Sequence, residues 1–210
     1  IYLGGITDVQ AGSNIVINRW YHFAISRVSN SSRLFINGIQ VQQTYSDSVD
    51  YTASSYVALG GYYSTGYLFT GYISNFRWIK GSVPSLYQTS VSTKGTSVFS
   101  PPTTPLTNIT NTSLLTCQSN RFVDNSSNAF AIIVGGSPSV QRFSPFNQNL
   151  SYTPETIGGS GYFDGTGDYL TLSNVAALQP GVSTNPFSVE AWFYVPAGTN
   201  TASTALLGNY

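Results

Sequence analysis

The run Arg19-Trp20-Tyr21-His22-Phe23-Ala24-Ile25-Ser26-Arg27, followed by Arg33-Leu34-Phe35-Ile36-Asn37-Gly38-Ile39, decides the fold class. Tyr21, Phe23 and Ile25 alternate with His22, Ala24 and Ser26, so one face of a strand is buried while the other meets water or a second layer. The second run repeats the alternation and ends at Asn37-Gly38, a strong hairpin signal because both residues tolerate positive φ. Outward from this pair, strands are expected at 56–59, 67–72 and 73–79, with turns at Gly60-Gly61 and 64–66. Pro84 and the stretch Pro101-Pro102-Thr103-Thr104-Pro105 then break the spacing, because proline donates no ladder hydrogen bond. Beyond them, 113–116, 129–134, 140–143, 169–172, 188–195 and 205–207 read as strands. No window of a dozen residues keeps a helical apolar stripe. Many short strands separated by turn signals predict an all-β sandwich or jelly roll.

At 210 residues the chain suits one large sandwich or two small domains. Only 8% of residues are charged, yet 41% are hydrophobic and 14% aromatic, a composition too apolar for disorder. Eight Lys plus Arg balance eight Asp plus Glu, and no basic run is dense enough to neutralise several phosphates, which argues against a nucleic-acid partner. No apolar stretch is long enough for a membrane-spanning helix, and no charged-then-apolar segment opens the sequence. Cys117 stands alone, so no intrachain disulfide forms, and it reads as a small buried hydrophobe. Met is absent and Ile1 opens in what reads as mid-strand, the expected signature of a processed piece or an excerpt of a longer polypeptide.

Trp20-Tyr21-His22-Phe23-Ala24 before Leu34-Phe35-Ile36-Asn37-Gly38 resembles the core hairpin of laminin-G-like domains, and Gly71-Tyr72-Ile73-Ser74-Asn75-Phe76-Arg77-Trp78 resembles their closing strand. Leu114-Leu115, Phe122-Val123-Asp124-Asn125-Ser126-Ser127-Asn128 and Tyr162-Phe163-Asp164-Gly165-Thr166-Gly167-Asp168-Tyr169-Leu170 are similar to the family's opening series. The resemblance covers nearly the whole chain and implies a concanavalin A-like antiparallel β-sandwich with its motif order permuted. Residues 1–100 then match the C-terminal half of such a sandwich, 101–105 a Pro-rich joint, and 106–210 the N-terminal half. The halves either close into one core or are completed by neighbouring repeats. The expected core residues are Trp20, Phe23, Phe35, Trp78, Phe163 and Trp192. The joint and the run Ser113-Leu114-Leu115-Thr116-Cys117-Gln118-Ser119-Asn120-Arg121-Phe122 are similar to tandem laminin-G-like repeats in structural and fibre proteins of marine tailed phages, cyanophages especially. Against that pattern, a further strand expected between Tyr210 and Ile1 is missing.

Glucanases of this fold need paired carboxylates. The acids Glu155, Glu190, Asp8, Asp47, Asp50, Asp124, Asp164 and Asp168 form no alternating cluster on one strand, so the protein is expected not to be an enzyme. His22 is the only histidine, which rules out a two-histidine metal site or a catalytic triad built on a second one. Asp164 and Asp168 flank Gly165-Thr166-Gly167 and, with Asp124, are candidate Ca2+ ligands, since Ca2+ takes oxygen donors. The resemblance implies Ca2+ near this loop, although Ser74 and Asn75 stand where the family supplies a further acid. A Gly-rich turn capped by Asp side chains is the alternative. Tyr62, Tyr63 and Tyr67, in a Gly-rich region, are candidate glycan contacts, because an aromatic face stacks on a sugar. Packing between strands or between subunits is the other use of such residues.

Two functions fit. One is a non-enzymatic structural and adhesive module of a phage virion fibre, decoration or similar extracellular filament, contacting host surface glycans and placed at the virion surface or outside the cell. Its partners would be copies of itself or neighbouring repeats. The other is a lectin-type carbohydrate-binding domain of a secreted bacterial adhesin.

Overall fold

The computed structural model of the protein describes residues 15–51, 56–61, 67–88, 93–146, 158–173, 176–182, 184–199 and 205–209. Its strands are β1 (Trp20–Val28), β2 (Ser31–Ile36), β3 (Ile39–Gln40), β4 (Tyr45–Ser46), β5 (Tyr56–Leu59), β6 (Thr70–Lys80), β7 (Thr112–Thr116), β8 (Ile133–Gly135), β9 (Ser139–Gln141), β10 (Ser160–Asp164), β11 (Tyr169–Ser173), β12 (Phe187–Tyr194) and β13 (Leu207–Asn209). The larger antiparallel sheet runs β3-β2-β1-β12-β6-β10-β9, with β4 against β2 and β7 against β6; the smaller runs β13-β5-β11-β8.

Two left-handed turns shape the first three strands. Asn37 and Gly38 have φ of 48° and 78°, joining β2 to β3 as expected. Ser29 and Asn30, with φ of 47° and 62°, join β1 to β2 by the same device. Two central residues at positive φ match the right-handed twist of the flanking strands. Gly38 has a second constraint, because a Cβ there would run into the Phe99 carbonyl oxygen.

Strand β6 organises the larger sheet. Along one edge it pairs with β12, and along the other with β10 at residues 70–73 and with β7 at residues 76–79. The register against β12 slips between Glu190↔Arg77 and Trp192↔Ser74, so β6 carries one residue more than its partner. Asn75, at φ 54°, takes up the extra residue as a β-bulge. Its N–H donates to the Cys117 carbonyl, and its side-chain oxygen accepts the Leu106 N–H, so the buried bulge leaves its polar groups paired. The expected break between Tyr72 and Ile73 is therefore absent, and the irregularity sits at Asn75 inside one long strand.

The segments read as two half-sandwiches interleave. β1 pairs with β12 over eight residue pairs, from Trp20↔Tyr194 to Arg27↔Phe187, and β5 pairs with β11. The core between the sheets draws Phe23, Ile25, Leu34, Ile73, Phe76 and Trp78 from the first segment and Leu114, Phe163, Leu170, Phe187, Val189 and Phe193 from the second. Cys117 lies in this core, and burial pushes its thiol up to about 12. The stretch 101–105 is not extended away from the sheets: Pro105 and Leu106 are buried.

The outer face of the larger sheet is partly covered by a strap, residues 81–111, that leaves β6 and returns as β7. Its short 3-10 turn Ser85–Tyr87 and Phe99 build a second apolar cluster with Ala24, Phe35 and Val83. The alternate positions His22, Ala24 and Ser26 of β1 are thus buried as fully as Phe23 and Ile25. Phe35 belongs to this strap cluster, on the sheet face opposite Phe23.

Candidate functional site

Where the strap does not reach, the same outer face presents aromatic side chains in register. Trp20 on β1 is opposite Tyr194 on β12, Tyr194 is opposite Tyr72 on β6, and Tyr72 is opposite Tyr162 on β10. The ring centroids along this row are 5.6, 5.8 and 4.9 Å apart. Phe143, beyond β9, backs the row at 5.1 Å from Trp20, 4.9 Å from Tyr72 and 4.8 Å from Tyr194. Its backbone is held by the Ser160 hydroxyl, which donates to the Phe143 carbonyl at 2.6 Å. All five residues are half-buried, so each ring keeps part of its surface exposed. Burial, with Tyr162 and Tyr194 nearby, raises the Tyr72 phenol above its ordinary value and keeps it a neutral donor. The result is an uncharged ledge of apolar ring surface edged by phenolic hydroxyls, able to stack on a ring and hydrogen-bond its substituents.

Under the strap the chemistry is ionic. Glu190 of β12 is buried, and its Oε1 accepts Arg77 Nε at 2.9 Å and Nη2 at 2.6 Å. Its Oε2 lies 3.3 Å from His22 Nε2 and accepts the Tyr87 hydroxyl. Burial pushes the Glu190 carboxyl up, but the His22 contact, the Arg77 charge and the Tyr87 hydroxyl together hold it below the ordinary carboxylate range. Arg77 reaches the strap as well, donating from Nη1 to the Thr107 carbonyl at 2.9 Å. His22 and Glu190, at 0% and 1% exposure, are closed to any substrate, so this cluster fastens the strap.

A second buried knot lies at one end of the sandwich. Arg27 donates to the carbonyls of Val49, Val182 and Asn185 and lies 3.7 Å from Asp47, with its guanidinium about 5 Å from the ring centroids of Tyr51 and Phe187. Asp47 in turn accepts the hydroxyls of Ser32 and Tyr51. Both knots spend their carboxylates on structure.

The candidate residues read from the sequence fall into three groups. Tyr62 and Tyr63 lie outside the described residues, and Tyr67 is 48% exposed and separate from the aromatic row. The three aspartates act as turn caps. Asp124 accepts the N–H groups of Leu115, Ser126 and Phe130, Asp168 accepts those of Ser137 and Asp164, and Asp164 accepts that of Thr166. Among the described residues no three His, Cys, Asp or Glu side chains converge to hold a metal ion. Phe23, Phe35, Trp78 and Phe163 are buried, whereas Trp20 and Trp192 are only half-buried. Those two tryptophans share the outward phase of His22 and Glu190, so their size does not take them into the core. Trp192 packs against His22 and Phe146, and Trp20 joins the ledge.

Residues 2–84 match the family model described as the concanavalin A-like lectin/glucanases superfamily, of the laminin G type. No curated protein and no solved structure matches the chain significantly. The matched segment contains β1 to β6, whose partners β10, β11 and β12 complete the same two sheets. With its antiparallel sheets, the chain folds as a concanavalin A-like β-sandwich, and the match points to a lectin-like or adhesive module.

Proposed function

We propose that the protein is a non-enzymatic adhesive module of a virion fibre, capsid decoration or similar extracellular filament, and that it holds host surface glycans on the aromatic ledge. The ledge carries this reading: four rings in register, backed by Phe143, on a face that the strap leaves uncovered. The buried carboxylates Asp47 and Glu190 are occupied by arginine and hydroxyl partners, which supports binding without hydrolysis. The filament context rests on the resemblance of the motifs to tandem repeats, with copies of the same unit as neighbours.

A glycan array probed with the wild-type protein and with Trp20→Ala tests the binding reading. Retention of a set of glycans by the wild type and its loss in the variant, with unfolding temperatures within a few degrees, is the expected result. An array on which the wild type retains nothing would overturn it. Electron microscopy of the parent assembly separates a filament, where the unit repeats along an axis, from a secreted adhesin carrying a single lectin-type domain.

A further inference from the structure

The row has a direction, and that direction selects a ligand shape. Trp20, Tyr194, Tyr72 and Tyr162 occupy directly paired positions on four adjacent strands, so the row crosses the strands at a right angle. Three inter-strand steps of about 4.8 Å make it roughly 14 Å long. Phe143 closes one long side, standing about 5 Å from three of the four rings. At the far end Ser139 of β9 pairs with Tyr162 and extends the row with a small polar residue. A linear chain of β-linked pyranose units advances by about one inter-strand spacing per unit. Such a chain laid across the strands sets successive sugar faces over successive rings while its hydroxyls meet the phenols.

On the basis of the adhesive reading above, we infer that the ledge is a multi-subsite groove for a linear, uncharged oligosaccharide running perpendicular to the strands, with three to four pyranose units engaged. The four ring positions are uncharged throughout, and nothing in the row supplies the cationic fork that an acidic sugar or phosphate would call for. A compact monosaccharide would cover one ring and leave the rest of the row solvated.

The test is isothermal titration of the whole chain with β-1,4-linked glucose and N-acetylglucosamine oligomers of one to six units. Affinity should rise on the order of 3- to 10-fold per added unit up to the third or fourth, as each new stacking contact is made, and then level off. Tyr162→Ala, at one end of the row, should bring the plateau one unit earlier and leave disaccharide binding within about twofold. Tyr162→Phe, which keeps the ring, should restore the wild-type length dependence and guard against a folding artefact. Binding that is independent of chain length, or a plateau unmoved by Tyr162→Ala, would overturn the multi-subsite inference while leaving a glycan-binding ledge intact. If these oligomers do not bind although the array shows retention of branched or acidic glycans, the linear class is wrong. Absence of binding in both experiments would remove the ledge reading itself. Concentration-dependent dimerisation abolished by Tyr72→Ala would assign the row to a second copy of the chain and overturn the inference.

Discussion

One face of one sheet is finished in two ways. Over β2, β1 and the middle of β12 and β6, the outward positions are Phe35, Ala24, Glu190 and Arg77, and the strap buries them all. Two to four residues further along those same strands, the outward positions are Trp20, Tyr194 and Tyr72, and they stay half-exposed. A buried carboxylate demands charged and hydrogen-bonding partners. Arg77, His22 and Tyr87 meet that demand and tie the strap down. Aromatic rings make no such demand, so the bare region remains stable without a cover. Stability and recognition thus occupy adjacent stretches of the same strands, and mutations should separate them.

The largest effect should come from unpairing the covered half. Arg77→Met leaves Glu190 buried without its cation and should cost about 3–5 kcal/mol in denaturant unfolding. The double variant Arg77→Met, Glu190→Gln should recover part of that loss; no recovery would show that the pair does not act as a unit. Next, Gly38→Ala would force positive φ on a side chain and drive its Cβ into the Phe99 carbonyl, so it should destabilise by well over ~1 kcal/mol. Faster proteolysis within the strap than within β1 would show that the damage is local.

A smaller effect is expected from acid. The folded state holds the Glu190 carboxyl below its ordinary value, so this group's contribution is complete above the normal glutamate range. It is lost as pH falls through the lowered folded value. Melting temperature should therefore decline more steeply below about pH 4.5 in the wild type than in Glu190→Gln. Parallel declines would mean that other carboxylates govern acid unfolding. Smallest of all should be the stability change at the bare half. Tyr72→Ala should shift unfolding by about 1–2 kcal/mol while abolishing retention on glycans. A cost as large as that of Arg77→Met would mean that the ledge is structural.

The alternation in Tyr21 to Arg27 and the Asn37-Gly38 turn made β1, β2 and the fold class legible, because those signals are local. Glu190 stood in the sequence as one more scattered acid. Its meaning depends on being opposite Arg77 across a bulge and beneath Tyr87, and those three residues are far apart along the chain. The aromatic row was hidden for the same reason. Each ring belongs to a different strand, and only the register brings them into line. Attention went instead to tyrosines in a Gly-rich loop, where exposure is easily inferred from local composition. Trp20 and Trp192 were expected in the core because of their size, yet strand phase outranks size when His22 and Glu190 share their face.

The pairing of β6 has a consequence for how the chain acquires its structure. The β1–β2 hairpin closes over a two-residue turn and can form early, but the other edge of β1 and one edge of β6 wait for β12, whose residues are 187–194. During synthesis at about 5–20 residues per second, those two edges therefore spend several seconds unsatisfied. Sheets assembled from such distant segments fold slowly, and where identical units follow one another, the waiting edges of one unit meet an equivalent β12 from the next. Exchange of β12 between neighbours is the characteristic misfolding route open to this topology.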